Sequence, residues 1–299
     1  MKYALGIDLG GTNVKALAVT PAGRVLAENS VPTADTGKRH WIANVEAAIE
    51  PIRHALGAAP AWIGVAAPGL VARDQRSISY MPGRLAGLAG CNWQKLLRVR
   101  YPVPVLNDGH AALLGEVWLG AARNAKNALL LTLGTGVGGA ALVDGRLLRG
   151  HLGRAGHLGH ISLDPDGVSD IVRTPGSLED AIGECTVKAR SRGRFASTQE
   201  LVVASDRNER AARAIWLKSI HALAAALASL INAFDPEVIV IGGGIAKAGP
   251  SLFDPLNERL GRIEWRPGGA RVRIRPAKLA SRAGAFGAAW YGMNFEQQL

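Results

Sequence analysis

The chain has 299 residues, of which 48% are hydrophobic and 20% are charged, and its formal net charge is +11. This length suffices for two domains with their own cores, and the composition is that of a globular chain without a disordered tract. No apolar run approaches the length of a membrane-spanning helix. Because Met1–Ala4 leads straight into a predicted strand, we expect no signal peptide. Because the chain has two cysteines, Cys91 and Cys185, we expect no disulfide framework and a cytoplasmic location.

The excess of basic residues does not indicate a nucleic-acid partner. These residues are scattered, with a denser stretch in Arg262–Arg282, and the sequence has neither a helix-turn-helix pattern before the first strand nor a dense basic arm. A basic surface that attracts anionic nucleotides and phosphosugars accounts for the charge. We therefore expect neither nucleic acid nor a membrane among the partners.

The first half of the chain predicts an α/β unit that opens on an antiparallel meander. Its strands are the apolar runs Tyr3–Ile7, Val14–Val19 and Arg24–Val31. Apolar residues at helical spacing over Trp41–Leu56 predict a helix that Pro51 kinks or ends early.

The remaining elements repeat this alternation of strands and helices. Those of the first half are a strand over Trp62–Ala66, a turn at Ala67–Gly69, a strand over Val103–Leu106 and a helix over Ala111–Leu119. Those of the second half are strands over Ala128–Leu133 and Ala140–Val143, a helix over Glu209–Phe234, a strand over Glu237–Ile241 and a helix over Ala283–Tyr291. The strand over Val103–Leu106 delivers Asn107 and Asp108 at its carboxyl end.

Two glycine-rich turns of one design join strands in the two halves. They are Gly6–Asn13 (GIDLGGTN) and Thr132–Gly139 (TLGTGVGG). Glycines allow a tight turn and let backbone N–H groups approach a ligand closely. Most such turns merely connect strands, but two of them, with Asp8 and Thr135 inside, predict a clamp for a polyphosphate. The duplication indicates two α/β lobes with a cleft between them.

The order of six short motifs resembles that of the ROK family, which contains bacterial sugar kinases and sugar-responsive repressors. The motifs are Asp8–Thr12, Asn107–Asp108, Leu133–Gly139, Gly156–His160, Gly242–Gly244 and Ala283–Ala289. The resemblance runs from about Leu5 to Tyr291 and implies the actin-like ATPase (ribonuclease H-like) fold, an α/β fold with two lobes and a central cleft. We expect a smaller lobe over residues 1–115, completed by the C-terminal helix at about 283–299, and a larger lobe over residues 116–282.

The first set of predicted site residues binds the nucleotide. The set comprises Asp8, Gly10, Gly11, Thr12, Asn13, Lys15, Thr135, Gly136, Gly243 and Gly244. Asp8 is placed to hold Mg²⁺, directly or through water, beside the phosphates of ATP, although a strand-end cap is the alternative reading. Lys15 is a candidate phosphate-facing cation. Gly243 and Gly244 resemble the family's adenosine-binding turn.

Asp108 is the predicted catalytic residue. Phosphoryl transfer to a hydroxyl needs an acceptor oxygen in line and a group that takes its proton, and an Asp at the end of a buried strand suits that role. Asn107 beside it can donate and accept hydrogen bonds with sugar hydroxyls. The alternative is an ordinary Asn-Asp turn.

The resemblance also implies a set of sugar-binding residues, in which one position departs from the family. The set is Gly69, Asn107, Asp108, His157, His160 and Glu179. The family usually has Glu where this chain has His157, so an acceptor becomes an imidazole that can donate or accept. For Glu179 the alternative is a solvated position on a helix.

A second departure concerns zinc. Most members of the family carry three cysteines before the last sugar-binding Glu, and these positions are Asp170, Val172 and Ser177 here. Valine cannot ligate, and Asp170 with His160 is too little for a closed tetrahedral site. A histidine-only site built from His151, His157 and His160 is the alternative. We expect no structural zinc, and a loop over residues 164–177 held by packing, turns and hydrogen bonds.

The function that these features predict is that of an ATP-dependent hexose kinase with Mg²⁺. It would transfer the γ-phosphoryl group of ATP to a sugar hydroxyl, with O6 of glucose as the first choice and Asp108 as general base. Two alternatives stay open: a kinase for an amino sugar, an N-acetyl sugar or another hexose, and a non-catalytic sugar-binding regulator. The resemblance further implies a homodimer or larger homo-oligomer.

Overall fold

A computed structural model describes residues 2–35 and 39–297, and these form two compact units. Of the described residues, 2–35, 39–124, 146–155 and 278–297 form the first unit, and 125–145 and 156–277 form the second. The division differs from the predicted boundary at residue 115, because that boundary would cut a helix that runs on to Leu119. Met1 and residues 298–299, which the predicted ranges include, lie outside the described residues.

The first unit is built on a five-stranded sheet. The sheet consists of β1 (Ala4–Leu9), β2 (Asn13–Val19), β3 (Val25–Pro32), β4 (Trp62–Ala67) and β7 (Val105–Asn107), and the unit also contains the short strands β5 (Leu70–Val71) and β6 (Ile78–Tyr80). Its helices are α1 (Trp41–Leu56), α2 (Trp93–Leu96), α3 (Asp108–Leu119) and α9 (Ala283–Asn294). The sheet order is β3-β2-β1-β4-β7, while β5 and β6 form a separate hairpin. The predicted antiparallel meander is confirmed in β1, β2 and β3.

The parallel part of this sheet brings three sequence motifs to one edge. Strand β1 pairs in parallel with β4, with Asp8 opposite Ala66, and β4 pairs in parallel with β7, with Ala67 opposite Asn107. Since parallel strands end at the same edge, the first glycine turn, the turn at Gly69 and the Asn107-Asp108 pair all lie at this edge.

Pro51 does not end the first helix, so the predicted early break is wrong. Helix α1 continues through Pro51 to Leu56. Proline has no N–H and leaves the carbonyl of Ala47, four residues earlier, without its helical partner. The side chain of Asn29, on β3, donates from Nδ2 to Ala47 O and Ala48 O, at 3.2 Å each. A hydrogen bond from the neighbouring strand thus satisfies the carbonyl that Pro51 leaves open.

The second sheet has five strands, in the order β10-β9-β8-β11-β12. Its strands are β8 (Ala128–Leu133), β9 (Val137–Val143), β10 (Arg146–Leu147), β11 (Val238–Gly242) and β12 (Arg273–Pro276). The helices of the second unit are α4 (Leu178–Ile182), α5 (Val187–Arg190), α6 (Thr198–Asp206), α7 (Arg210–Phe234) and α8 (Pro250–Ile263). Strands β8 and β9 form an antiparallel hairpin around the second glycine turn, and β11 is parallel to β8 and β12. Both predicted strand–turn–strand units are therefore present.

Helix α7 departs from the expectation that no apolar run approaches the length of a membrane-spanning helix. Its 25 residues include a window of mean hydropathy 1.7, so by length and composition it could cross a membrane. Half of that window is buried inside the unit, where α7 packs against α4, α6 and α8. The apolar character of α7 is explained by its position in the core of the second unit.

Candidate active site

Asp8 lies near the end of β1, in surroundings that disfavour its charge. Burial raises the pKa of its carboxyl to about 7; the ammonium of Lys15 works against this rise, and the carboxylate of Asp108 adds to it. The structure thus brings three predicted site residues, Asp8, Lys15 and Asp108, within electrostatic reach of one another. A Cβ at Gly284, in α9, would lie 2.6 Å from Asp8 Oδ2, so glycine at this position leaves room for the carboxylate.

The first glycine turn is held from one side by Thr33. Gly10 N–H donates to Asn13 O at 3.0 Å and closes the turn between β1 and β2. Thr33 donates from Oγ1 to Gly10 O at 2.6 Å, and Thr33 N–H donates to Thr12 O at 2.9 Å. These bonds fix the carbonyl groups of the turn and leave Gly11 and Thr12 exposed.

Two positively charged side chains lie close to this turn. Lys15 Nζ donates to Ser281 O at 2.9 Å, which fixes the ammonium near Asp8. Arg84 Nη2 donates to Gly11 O at 3.0 Å, and its Nε lies 3.5 Å from Asp35 Oδ2. Arg84 was not predicted from the sequence, since one arginine in a Pro-Gly-Arg turn carries no signal that ties it to a distant glycine turn.

Asn107 and Asp108 form the junction between β7 and α3. Asn107 caps the helix, because its Oδ1 accepts from Gly109 N–H at 2.9 Å, and its Nδ2 donates to Gly69 O at 3.2 Å. Gly69 has a φ of +104°, and a Cβ there would lie 2.6 Å from Tyr80 O, so this turn requires glycine. Asp108 is exposed, with Oδ1 accepting from Gly109 N–H at 2.9 Å. The pair is thus a helix start that presents one exposed carboxylate.

In the second unit, Glu179 is attached to the second glycine turn. Its Oε2 accepts from Val137 N–H at 2.9 Å, and its carboxylate occupies the space that a side chain at Gly136 would need. Thr135 O accepts from Cys185 N–H at 2.8 Å, which fixes the tip of the turn. Glu179 is only partly exposed, so the alternative of a fully solvated helix position is wrong.

A cavity of about 700 Å³ lies beside the same turn, within the second unit. It is lined by Gly134, Thr135, Glu184, Ser197, Thr198, Gln199, Val202, Val203, Asp206, Gly244, Ile245, Lys247 and Ala248. Two predicted nucleotide residues, Thr135 and Gly244, therefore line one cavity. Thr198 Oγ1 is buried without a hydrogen-bond partner, while Thr198 N–H donates to Glu184 Oε2 at 2.9 Å. Glu184, Thr198 and Lys247 were missed, since their short local patterns mark helix ends rather than a ligand.

His160 forms a hydrogen bond with Asp170, the aspartate at the position where the family resemblance implies the first cysteine. Its Nδ1 lies 2.8 Å from Asp170 Oδ2, and the Asp170 side chain is fully buried. Asp170 Oδ1 accepts from Val172 N–H and Thr174 N–H, at 2.9 Å each. Burial disfavours the charged carboxylate, but these hydrogen bonds outweigh it and lower the pKa of Asp170. His157 precedes the short 3₁₀ turn Leu158–His160 and is half-buried.

The residues at the family's zinc positions do not fit a zinc site. Both oxygens of Asp170 are taken by His160 and by loop N–H groups, and Ser177 Oγ accepts from Asp180 N–H at 3.2 Å as the cap of α4. Val172 offers no ligand atom. Within residues 2–35 and 39–297, no group of three or more His, Cys, Asp or Glu side chains is arranged to hold a metal ion.

Comparisons with known proteins agree with this geometry. The model of the ROK family matches residues 4–293. A glucokinase of Halalkalibacterium halodurans is 30% identical, over 97% of this chain and 94% of its own. An N-acetylmannosamine kinase of Yersinia pseudotuberculosis is 29% identical, over 97% of this chain and 98% of its own.

Two solved structures extend the comparison to the fold. The ROK hexokinase from Thermus thermophilus matches with a TM-score of 0.86 and 30% identity, over 99% of this chain and 100% of its own. A ROK family glucokinase from Streptomyces griseus, in complex with glucose and AMPPNP, matches with a TM-score of 0.80 and 26% identity, over 98% of this chain and 99% of its own.

The fold is that of the actin-like ATPases, with a glycine turn between antiparallel strands in each unit. The chain belongs to the ROK family. Within that family it is a sugar kinase.

Proposed function

We propose that this chain is an ATP-dependent hexose kinase that phosphorylates a sugar hydroxyl, with O6 of glucose as the first acceptor to test. The main support for the proposal is that Asp108 and Asp8 lie within electrostatic reach of each other. Both are at the edge of the first sheet where the parallel strands β1, β4 and β7 end. The exposed carboxylate of Asp108 and the carboxylate of Asp8, whose charge its surroundings disfavour, interact electrostatically there, which suits a general base and a metal-binding group respectively.

In the proposed reaction, the sugar hydroxyl oxygen forms a bond to the γ-phosphorus of ATP. The bond from that phosphorus to the β,γ-bridging oxygen breaks, and ADP leaves with the bond's electron pair. Asp108 takes the hydroxyl proton. The hydrogen bond from Gly109 N–H to Asp108 Oδ1 fixes the orientation of the carboxylate before the sugar arrives. Such positioning, rather than covalent participation, is what phosphoryl transfer requires of the protein.

The residues around Asp8 fit Mg²⁺ bound with ATP. A buried carboxylate whose pKa is raised to about 7, beside a second carboxylate, is an oxygen ligand that a divalent cation would stabilise in its charged form. Mg²⁺ commonly binds through one or two carboxylates, water and substrate phosphates, so a larger protein ligand set is not needed. When bound, the ion neutralises charge on the phosphates. Lys15, fixed by Ser281 O, limits the negative charge around Asp8.

The proposed nucleotide residues lie in both units. In the first unit, the turn over residues 10–13 presents the exposed Gly11 and Thr12. In the second unit, the cavity with Thr135 and Gly244 has room for a nucleoside, and the unpaired hydroxyl of Thr198 offers a hydrogen bond to it. Gly136 and Gly243 keep their proposed roles beside the phosphates and the adenosine.

The proposed sugar residues are Gly69, Asn107, His157, His160 and Glu179, together with Asp108. Asn107 and Glu179 already make hydrogen bonds to backbone groups, which hold their side chains in place. His160 is oriented by Asp170. His157, where the family has Glu, is the residue most suited to change which sugar is preferred, since an imidazole can donate where a carboxylate can only accept.

An N-acetyl sugar is the second candidate for the acceptor. The similarity to an N-acetylmannosamine kinase, at 29% identity, is nearly as high as the similarity to a glucokinase. The family resemblance also supports a homo-oligomer in the cytoplasm, which size-exclusion chromatography with light scattering and cell fractionation would test.

The test is a panel of sugars assayed for ADP formation with ATP and Mg²⁺, for the unmodified chain and for His157→Glu. We expect turnover with glucose or a close relative, and a changed order of preference in His157→Glu. If N-acetylmannosamine is the only sugar in the panel that is turned over, the result favours an N-acetyl sugar as the acceptor. Saturable sugar binding without turnover of any sugar would contradict the kinase and indicate a regulator.

A further inference from the structure

A second cavity, of about 360 Å³, lies within the first unit and has a basic lining. Its polar side chains are those of Arg73, Gln75, His110, Arg149 and His151. None of the described residues that line it carries a carboxylate. No residue assigned to the kinase reaction lines it either, so this cavity needs an explanation of its own.

Arg149 is the central residue of the cavity. Its Nε is buried without a hydrogen-bond partner. Its Nη2 donates to Tyr291 Oη at 2.6 Å, and the Tyr291 hydroxyl donates to Gln75 Oε1. The guanidinium also lies 5.5 Å from the centre of the Tyr291 ring. These neutral partners hold the group in one orientation but do not compensate its charge.

Among residues 2–35 and 39–297, no carboxylate forms a salt bridge with Arg149 or Arg73. A partly buried guanidinium without a counter-ion loses part of its hydration, and a bound anion would compensate that loss. Burial raises the pKa of Tyr291 to about 12, although Arg149 works against this rise, so the phenol is neutral and cannot supply the charge. None of the described residues therefore supplies a negative charge to these two guanidinium groups.

Arg73 and His151 stand at the exposed side of the cavity. Arg73 Nη2 donates to His151 Nδ1 at 2.6 Å, which holds the second guanidinium beside the cavity. His110, on α3, is buried and donates from Nε2 to Ala155 O at 3.2 Å. The cavity therefore has two fixed positive charges and two imidazoles, and its remaining wall includes the apolar Val71, Val105 and Leu106.

We propose that this cavity binds a small anion that bears a phosphoryl group, either inorganic phosphate or a phosphorylated sugar. Two guanidinium groups match the charge of a phosphate dianion and can bind its oxygens with paired hydrogen bonds. The volume is in the range of metabolite sites. The site is distinct from the proposed kinase site, although β7 and α3, which carry Asn107 and Asp108, also supply Val105, Leu106 and His110 to its wall.

The test is isothermal titration of the full chain with inorganic phosphate and, separately, with glucose 6-phosphate, against potassium chloride at equal ionic strength. Each titration is repeated with glucose and a non-hydrolysable ATP analogue at saturation, which occupy the proposed kinase site. Three variants accompany the unmodified chain. Arg149→Met removes the partly buried guanidinium, Arg73→Met removes the exposed one without disturbing the core, and Arg76→Met is the matched control, exposed on the same loop.

We expect saturable binding that persists when the kinase site is filled. Kd should rise about tenfold or more in Arg149→Met and Arg73→Met, the loss typical of a charge-assisted hydrogen bond, and stay unchanged in Arg76→Met. Tighter binding of glucose 6-phosphate than of phosphate would identify a sugar phosphate as the ligand, and the reverse would identify free phosphate. Absence of binding, or equal Kd values for the unmodified chain and Arg73→Met, would overturn the proposal. The comparison of Kd values between variants does not depend on kinase activity. The binding result can therefore be interpreted even if the kinase proposal fails.

Discussion

The Nδ1 atom of His160 lies 2.8 Å from Oδ2 of Asp170, whose side chain is fully buried. This contact joins the Gly156–His160 motif to the loop over residues 164–177. Since Oδ1 of the same carboxylate accepts from Val172 N–H and Thr174 N–H, one side chain both closes the loop and sets the orientation of the imidazole. In this chain a hydrogen-bonded carboxylate stands where the family resemblance implies a cysteine.

The first prediction concerns sugar affinity in Asp170→Asn. The amide can still accept from the loop N–H groups, but it removes the charge that holds His160. We expect KM for the sugar to rise about tenfold, the size of effect seen when an orienting partner is lost, with a smaller change in kcat. Steady-state kinetics at varied sugar concentration measure both. Asp166→Asn, exposed on the same loop, is the control, and an unchanged KM in Asp170→Asn would show that Asp170 does not position His160.

The second prediction concerns the pH dependence of stability. Hydrogen bonds lower the pKa of Asp170 in the folded state, so its contribution to the free energy of unfolding is present above the ordinary aspartate pKa of about 4 and is lost as the pH falls below it. Urea unfolding should find Asp170→Asn less stable than the unmodified chain by about 1–3 kcal/mol at pH 7. That difference should shrink towards pH 3; a difference that grows on acidification would contradict the assignment.

The third prediction concerns zinc. Because Asp170, Val172 and Ser177 do not form a zinc site, dialysis against a zinc chelator should leave the melting temperature unchanged. Elemental analysis of the purified chain should find zinc far below one equivalent. One tightly bound zinc per chain, with a fall in melting temperature on its removal, would show that the loop is held by metal after all.

Some parts of the site were predictable because their physical cause is local. The glycine turns, the strand that ends at Asn107 and the absence of ligand atoms at Val172 follow from residue type and spacing. The Asp170–His160 pair was not predictable, because it depends on how the loop folds back over ten residues. The same holds for Arg84, which reaches Gly11 from 73 residues away, and for Asn29, which lets α1 continue through Pro51. Tertiary hydrogen bonds decided each of these outcomes.

The fourth prediction concerns nucleotide binding and pH. Since burial raises the pKa of Asp8 to about 7, the carboxyl is largely protonated below that pH and must lose its proton to hold a cation. The affinity for Mg²⁺ with a non-hydrolysable ATP analogue should therefore fall as the pH drops from 8 to 6. Asp8→Asn should bind more weakly at pH 8 and depend less on pH. Titrating both proteins in the same buffers corrects for protonation of the nucleotide itself, and parallel pH profiles would refute the role of Asp8.

The fifth prediction tests the central claim most directly, through the initial rate of ADP formation from ATP at saturating sugar. The amide in Asp108→Asn keeps the shape of the side chain and its bond to Gly109 N–H but cannot take the sugar's proton. Asp74→Asn, exposed in the same unit, is the matched control. We predict that kcat falls about 100-fold or more in Asp108→Asn while the melting temperature stays the same. A kcat near that of the unmodified chain would contradict the assignment of Asp108 as the general base of a sugar kinase.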